Sequence, residues 1–240
     1  MAVLWHRECD GDRYEIRSHG ASIRLYSNGV LHSQWNPDRP LRGSLWELLY
    51  IPVCFRPPAS VRRILVLGVG GGTVIRLLQR LLPGASITAV DINPVHLEVC
   101  RDWFGVERVE LICDDAVNFV EAYRGPDFDL IIDDLFGHSD GIPSRAIPVT
   151  PTWCKALGGI LAPAGLMVTN FASRKEFLNC GWRKAPDVTA DFAARWSLQL
   201  PQYENTIGVF SREELNRQFF TQNLAPPWSP SAFDLELRKG

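Results

Sequence analysis

Four glycines crowd into Leu67-Gly68-Val69-Gly70-Gly71-Gly72-Thr73, directly after the apolar run Ile64–Leu67 and before a helical pattern. Glycines at such a junction permit a tight turn and let backbone approach a ligand that side chains would exclude. A dinucleotide fingerprint wants glycine at position 73 for close helix packing, and this chain has threonine, so the spacing reads G-x-G-x-G. That disfavours an NAD-dependent oxidoreductase, as does the lack of a recognisable proton-relay motif. Asp91 stands about 20 residues beyond the glycines, where a carboxylate can accept both hydroxyls of a ribose. A helix N-cap before Pro94 is the plainer role for it.

Asp114-Asp115-Ala116 closes a third apolar run and offers a carboxylate to an adenine amino group, with a helix cap again the plainer role. Asp133-Asp134 closes a fourth. Two adjacent carboxylates invite a raised pKa on one of them, a property suited to a base for an amine or hydroxyl. Glycine-rich and acidic ends in one register point to a nucleoside ligand more strongly than any single one does.

The elements that must position these residues follow from the apolar runs, which are continuous rather than two-periodic, as in parallel strands covered on both faces. The pattern predicts strands at Ile64–Leu67, Ile87–Val90, Val109–Cys113, Leu130–Asp133 and Leu166–Asn170. Helices are predicted near Thr73–Leu82, Pro94–Phe104, Ala116–Tyr123 and Pro151–Leu161. This is an α/β fold with a doubly wound, mostly parallel sheet, whose ligands sit at the carboxyl ends of the strands. Residues 1–57 read as a separate N-terminal region: β-hairpins between Tyr14 and Gln34, turned at Asn28-Gly29, then a linking helix at Leu45–Tyr50 and a boundary at Pro57-Pro58. Residues 58–225 form the nucleoside-binding domain. Arg195–Leu200 and Thr206–Phe210 suggest a hairpin at the sheet edge, followed by a helix from Ser211 with Glu214 as capping partner. Residues 226–240 read as a Pro-rich tail ordered only by docking.

The chain has 240 residues, 46% hydrophobic and 22% charged, enough apolar content for a sizeable core. Its 25 Lys+Arg against 27 Asp+Glu lack the basic excess that drives nucleic-acid or membrane-surface binding. No apolar run approaches the roughly 18 residues of a spanning helix, and Met1–Arg7 lacks the order of a signal peptide, so a soluble, cytoplasmic protein is expected. The six cysteines are scattered without a C-x-x-C pair, and His32, His96 and His138 are not spaced as ligands; no metal is expected.

With these residues in view, the chain from about Ile23 to Phe210 resembles the spermidine synthase family of aminopropyltransferases, which share the S-adenosylmethionine methyltransferase fold. Asn28-Gly29-Val30-Leu31 is similar to the family's Asp-Gly-Val-Ile hairpin. Trp46-Glu47-Leu48-Leu49-Tyr50-Ile51-Pro52 resembles a shortened form of its Tyr-x-Glu-Met-x-x-His-x-Pro helix. Gly68–Arg76 resembles its glycine loop, Cys113–Phe119 its Gly-Asp-Gly-x-x-Phe adenine segment, and Phe128–Asp134 its Tyr-Asp-Val-Ile-Ile-x-Asp strand. The resemblance implies donor contacts at Gly68, Gly70, Gly72, Asp91, Asp115 and Ala116, and a catalytic base at Asp134. Asp133, Trp46, Phe136 and His32 are the expected acceptor contacts, with His138 beside them.

The departures matter as much. Gly71 replaces the loop Asp that holds the amine end of decarboxylated S-adenosylmethionine in the family. The diamine-gripping Asp-Ser-Ser-Asp-Pro reads Asp134-Leu135-Phe136-Gly137-His138, without its second Asp, and His32 replaces a Gln. An unpaired buried ammonium costs several kcal/mol. The expectation is therefore a transferase using S-adenosylmethionine or its decarboxylated form on a small-molecule acceptor, an amine foremost, with methyl transfer ahead of aminopropyl transfer. A polyamine aminopropyltransferase and a non-catalytic nucleoside-binding member are the alternatives. Exposed β edges in the N-terminal region are compatible with a homodimer.

Overall fold

The computed structural model describes residues 2–139, 142–224 and 235–240. The chain opens with an antiparallel meander, β1 (Ala2–Cys9), β2 (Asp12–His19), β3 (Ser22–Ser27) and β4 (Val30–Trp35), each strand paired with the next. Its Asp10-Gly11 and Asn28-Gly29 turns both have two consecutive positive φ angles, the geometry that matches strand twist in a two-residue hairpin. Helix α1 (Leu45–Tyr50) leads into β5 (Arg63–Leu67), α2 (Thr73–Leu81), β6 (Ser86–Asp91), α3 (Pro94–Asp102), β7 (Glu110–Cys113), α4 (Ala116–Ala122) and β8 (Phe128–Asp133). A two-stranded ribbon, β9 (Phe136–Ser139) and β10 (Ile142–Arg145), precedes α5 (Pro151–Gly159) and β11 (Leu161–Phe171). Three short helices, α6 (Arg174–Asn179), α7 (Gly181–Lys184) and α8 (Pro186–Thr189), lead to β12 (Ala194–Gln199), β13 (Thr206–Ser211), α9 (Arg217–Asn223) and β14 (Glu236–Lys239).

The main sheet runs β14-β12-β13-β11-β8-β5-β6-β7, parallel from β11 to β7 and antiparallel beyond. Strand order reverses between β5 and β8, which opens a crevice at their carboxyl ends. Alternation along β5 sends Ile64 and Val66 to one face and Leu65 and Leu67 to the other, all at most 1% exposed. Full burial of such a side chain is worth roughly 1.5–3 kcal/mol, so this register fixes the strand.

Two expectations need correction, and one strand adds to them. The β12–β13 pair is not at the edge: β13 inserts between β11 and β12, and Glu236–Lys239, inside the expected tail, supplies the outer strand. Residues 226–234 of that tail lie outside the described residues. The helix after Ser211 begins later, at Arg217, because Asn216 rather than Glu214 caps it through the N–H groups of Gln218 and Phe219. Strand β1 was not anticipated; it docks on α3 through a bidentate Arg7–Glu98 pair and the Trp5–Trp103 ring contact.

One apolar core crosses the expected boundary at Pro57-Pro58, joining Tyr14, Ile16 and Leu25 of the meander to Ile64, Val74 and Val95 of the α/β unit. A second core fills the other face of the sheet, around Phe128, Trp153 and Trp182. Among the described residues, no helix is long and apolar enough to cross a membrane.

Candidate functional site

A cavity of about 800 Å³ sits over the crevice, roofed by the meander. Of the residues expected to carry chemistry, Gly68, Gly70, Asp91, Asp115, Ala116 and Asp134 line it, as do His32, Trp46 and Phe136. Gly72 and Asp133 are not among the residues lining it. Gly72 sits just beneath, at the start of α2 against Cys100 and Val106.

The loop between β5 and α2 is held by Asp91. Its Oδ2 accepts from the N–H groups of Val69 (2.8 Å) and Gly70 (3.0 Å), and its Oδ1 from Asn93 (2.9 Å). The helix-cap role considered for Asp91 belongs to Asn93, whose side chain accepts from Val95 and His96. Burial alone would raise the Asp91 carboxyl, but hydrogen bonding with His96 and backbone N–H groups outweighs it and holds the pKa below the usual carboxylate range. His96 is itself set between Asp91 (Nδ1 to Oδ2, 3.5 Å) and Ser27 (Nε2 to Oγ, 3.0 Å). With Oδ2 filled by two amides, Oδ1 is the oxygen with capacity for a further donor.

Asp115 caps α4, its Oδ1 accepting from Val117 (2.7 Å) and Asn118 (3.3 Å), so the plainer role holds while the residue still lines the cavity. Between Asp91 and Asp115 lies Ile92, 69% exposed, an apolar ledge on the cavity wall. A flat ring laid there would cover apolar surface that otherwise faces water.

Asp134 closes β8 and faces the cavity. Burial is the main cause that pushes its pKa up to about 7; the neighbouring Asp133 and Asp91 charges add to this, and Asn170 and Arg145 oppose it. The shift anticipated from two adjacent carboxylates is present, but desolvation dominates it. Asn170 Nδ2 donates to Asp134 Oδ1 (2.7 Å), and Asn205 Nδ2 donates to Asn170 Oδ1 (3.0 Å), a chain that sets the carboxyl's orientation.

The acceptor role expected for Asp133 is corrected by the register of β8. Asp133 shares the face of Ile131, is fully buried, and accepts two bonds from Arg145 Nη2 (2.8 and 2.9 Å) and one from Trp153 Nε1 (3.1 Å). A carboxylate so enclosed has its acceptor capacity taken up within the fold and lies apart from the cavity lining; it fastens the end of β10 to the sheet.

Residues not singled out from the sequence complete the cavity: Arg42, Asn170, Tyr203 and Asn205. Asn170 ends a predicted strand in the same register as Asp134, so the strand-end rule could have found it. Tyr203 and Asn205 lie in the β12–β13 connection, which carries no pattern. Side chains of residues 138–143, His138 among them, lie outside the described residues.

Residues 64–147 match the model of the methyltransferase domain family. A fruit-fly (Drosophila melanogaster) eEF1A lysine and N-terminal methyltransferase homolog is 34% identical over 123 residues, covering 48% of this chain and 18% of that protein. A polyamine aminopropyltransferase of Chromobacterium violaceum is 30% identical over 116 residues, 47% of this chain and 43% of that protein. The chain thus spans less than half the length of these curated relatives. Among solved structures, a probable spermidine synthase from Corynebacterium glutamicum superposes with a TM-score of 0.78 at 20% identity, over 100% of this chain and 91% of that one. Human methyltransferase-like protein 13 in complex with SAH gives 0.61 at 21% identity, over 74% and 87%. The chain has the spermidine synthase-like S-adenosylmethionine methyltransferase fold.

Proposed function

We propose, from the premise of this fold, that the chain is an S-adenosylmethionine-dependent alkyltransferase that methylates an amine or hydroxyl of a small-molecule acceptor. The observation that carries the reading is Asp134: a carboxyl with pKa near 7, oriented by Asn170, between a nucleoside-shaped wall and a wall of Trp46, Phe136 and Tyr203. The residues present fit such a donor. The Val69 and Gly70 backbone lines the cavity, Ile92 offers a ledge for the adenine, Asp91 retains an acceptor oxygen for the ribose, and Asp114, Asp115 and Ala116 flank the adenine position.

The bound donor supplies a carbon made electrophilic by its sulfonium. Asp134, ionised, accepts the proton that the acceptor nitrogen or oxygen loses as the new bond forms. Trp46, Phe136 and Leu135 exclude water and hold the acceptor in line. A diamine would need a second carboxylate for its far ammonium. Gly137 stands where one would be expected, with nothing within 4 Å of a Cβ built there. The fruit-fly relative's name extends the same chemistry to a lysine amine of a protein.

Mass spectrometry of reaction mixtures tests the proposal. An acceptor gaining a methyl group supports it, and one gaining an aminopropyl group replaces it with the aminopropyltransferase reading. No product with either donor across a broad amine and hydroxyl panel favours a non-catalytic nucleoside-binding protein.

Two binding predictions arise from the donor wall. Asp91→Ala removes a charged acceptor and is expected to weaken S-adenosylhomocysteine by about 1.5–3 kcal/mol in calorimetry; unchanged affinity in a folded variant sinks the ribose assignment. Gly70 has φ +52°, and a Cβ there would meet Ser33 Oγ at 2.9 Å and the His32 carbonyl oxygen at 3.2 Å. Gly70→Val is expected to abolish donor binding, and retained affinity with native circular dichroism would make the loop a packing turn only.

A further inference from the structure

The described cavity lining carries one guanidinium among several carboxylates. Arg42 stands on the loop before α1 and lines the cavity beside Gln34, Trp46 and Thr73; among the described lining residues it is the sole lysine or arginine. Its Nη1 donates to Ser22 Oγ at 2.9 Å, and no carboxylate among the described residues pairs with it. Glu47, the nearest acid in sequence, has both oxygens occupied by the backbone N–H groups of Arg42, Gly43 and Ser44 and by the Ser44 hydroxyl. The guanidinium therefore has donors to spare.

Gly71, next to Gly70 in the loop, is not among the residues lining the cavity. A Cβ at that position would lie 2.6 Å from the Phe104 ring and 2.8 Å from Ser33 Cβ, and the Gly71 N–H is already bonded to Ser33 Oγ at 2.7 Å. An aspartate there would have nowhere to stand. Phe104 and Ser33 thus close off the carboxylate that an aminopropyl ammonium would need, while Arg42 supplies a cation with no anionic partner.

We infer that Arg42 recognises the α-carboxylate of the donor's methionyl end and so selects S-adenosylmethionine over its decarboxylated form. This rests on the donor reading proposed above. With adenosine on the Ile92–Asp91 wall and the reacting carbon beside Asp134, Gln34, Arg42 and Thr73 are lining residues that neither the nucleoside wall nor the acceptor wall of Trp46, Phe136 and Tyr203 uses. Guanidinium binds carboxylate through charge-assisted, often paired, hydrogen bonds.

Calorimetry on the full chain with three ligands tests this: S-adenosylhomocysteine, decarboxylated S-adenosylhomocysteine, and 5′-methylthioadenosine, which lacks the amino-acid end altogether. The wild-type chain should bind the first about 10- to 100-fold more tightly than the second, the range expected of one charged hydrogen-bonded contact. Arg42→Gln should bring the two within about threefold by weakening only the first, and Arg42→Lys should restore part of the gap. Unchanged 5′-methylthioadenosine affinity shows that each variant keeps its nucleoside site. Equal binding of the first two ligands by the wild-type chain, or an equal loss for all three in Arg42→Gln, overturns the role of Arg42 and leaves the donor reading standing. Failure of the wild-type chain to bind any of the three overturns the donor reading and this inference with it.

Discussion

Asp134→Asn should lower kcat by about 10²–10⁴ with whichever acceptor proves right, while S-adenosylhomocysteine affinity changes little. Asparagine keeps the size of the side chain and an oxygen for Asn170, so geometry survives and only the basic oxygen is lost. The pH profile carries the same signature. A base with its pKa near 7 is protonated and idle below neutrality, so kcat should rise through about pH 7 and level off above it, and the variant should lose that limb. A variant with wild-type kcat and an unchanged profile would remove Asp134 from the chemistry. The shift also acts on stability. Between the ordinary carboxylate range and about 7, native Asp134 holds a proton that the unfolded chain has released, so its contribution falls as pH rises through that window.

Arg145→Ala should destabilise the protein by about 3–5 kcal/mol, because it strands the fully buried Asp133 carboxylate without its cation. Arg145 also donates to the carbonyls of Ile147 (3.1 Å) and Asn170 (2.5 Å), tying the ribbon, the sheet and the residue that orients Asp134 into one knot. The melting temperature should fall by roughly 6–20 °C for a chain of this size. Lysine should rescue little, since a single ammonium cannot reach Asp133 and the Ile147 and Asn170 carbonyls together, as the three guanidinium nitrogens do. The decisive comparison is Asp133→Ala/Arg145→Ala, which removes both charges and should lie well short of the sum of the two single losses. Additive single losses would show that the pair is not coupled.

The chemistry-bearing strand ends were legible because parallel buried strands announce themselves as apolar runs and the crevice rule says where to look. Gly68, Asp91, Asp115 and Asp134 all follow from that rule, and all line the cavity. Asp133 does not follow from the strand-end rule, because strand alternation sends it and Asp134 to different surroundings. Strand β1 carried a readable signal in Asp10-Gly11, but its seat on α3 depends on Arg7 meeting Glu98, 91 residues away. The order β11-β13-β12-β14 was not legible, since nothing local distinguishes an inserted strand from an edge hairpin. Arg42, Tyr203 and Asn205 reach the cavity from irregular loops, whose course is set by packing rather than by periodicity.

The cavity's walls differ in how they are written along the chain. The nucleoside wall is contiguous, running from Gly68 to Asp134 on consecutive strand ends, and it falls within the stretch that matches the methyltransferase domain model. The opposite wall is assembled from scattered places: Trp46, Phe136, Ile147, Asn170, Tyr203 and Asn205. Those scattered positions can vary one at a time without disturbing the ladder that holds the glycine loop. Most of the donor's proposed contacts are in this sense written into one stretch of strand ends, whereas Arg42 and the acceptor wall are brought to the cavity from helices, strands and loops far apart in the chain.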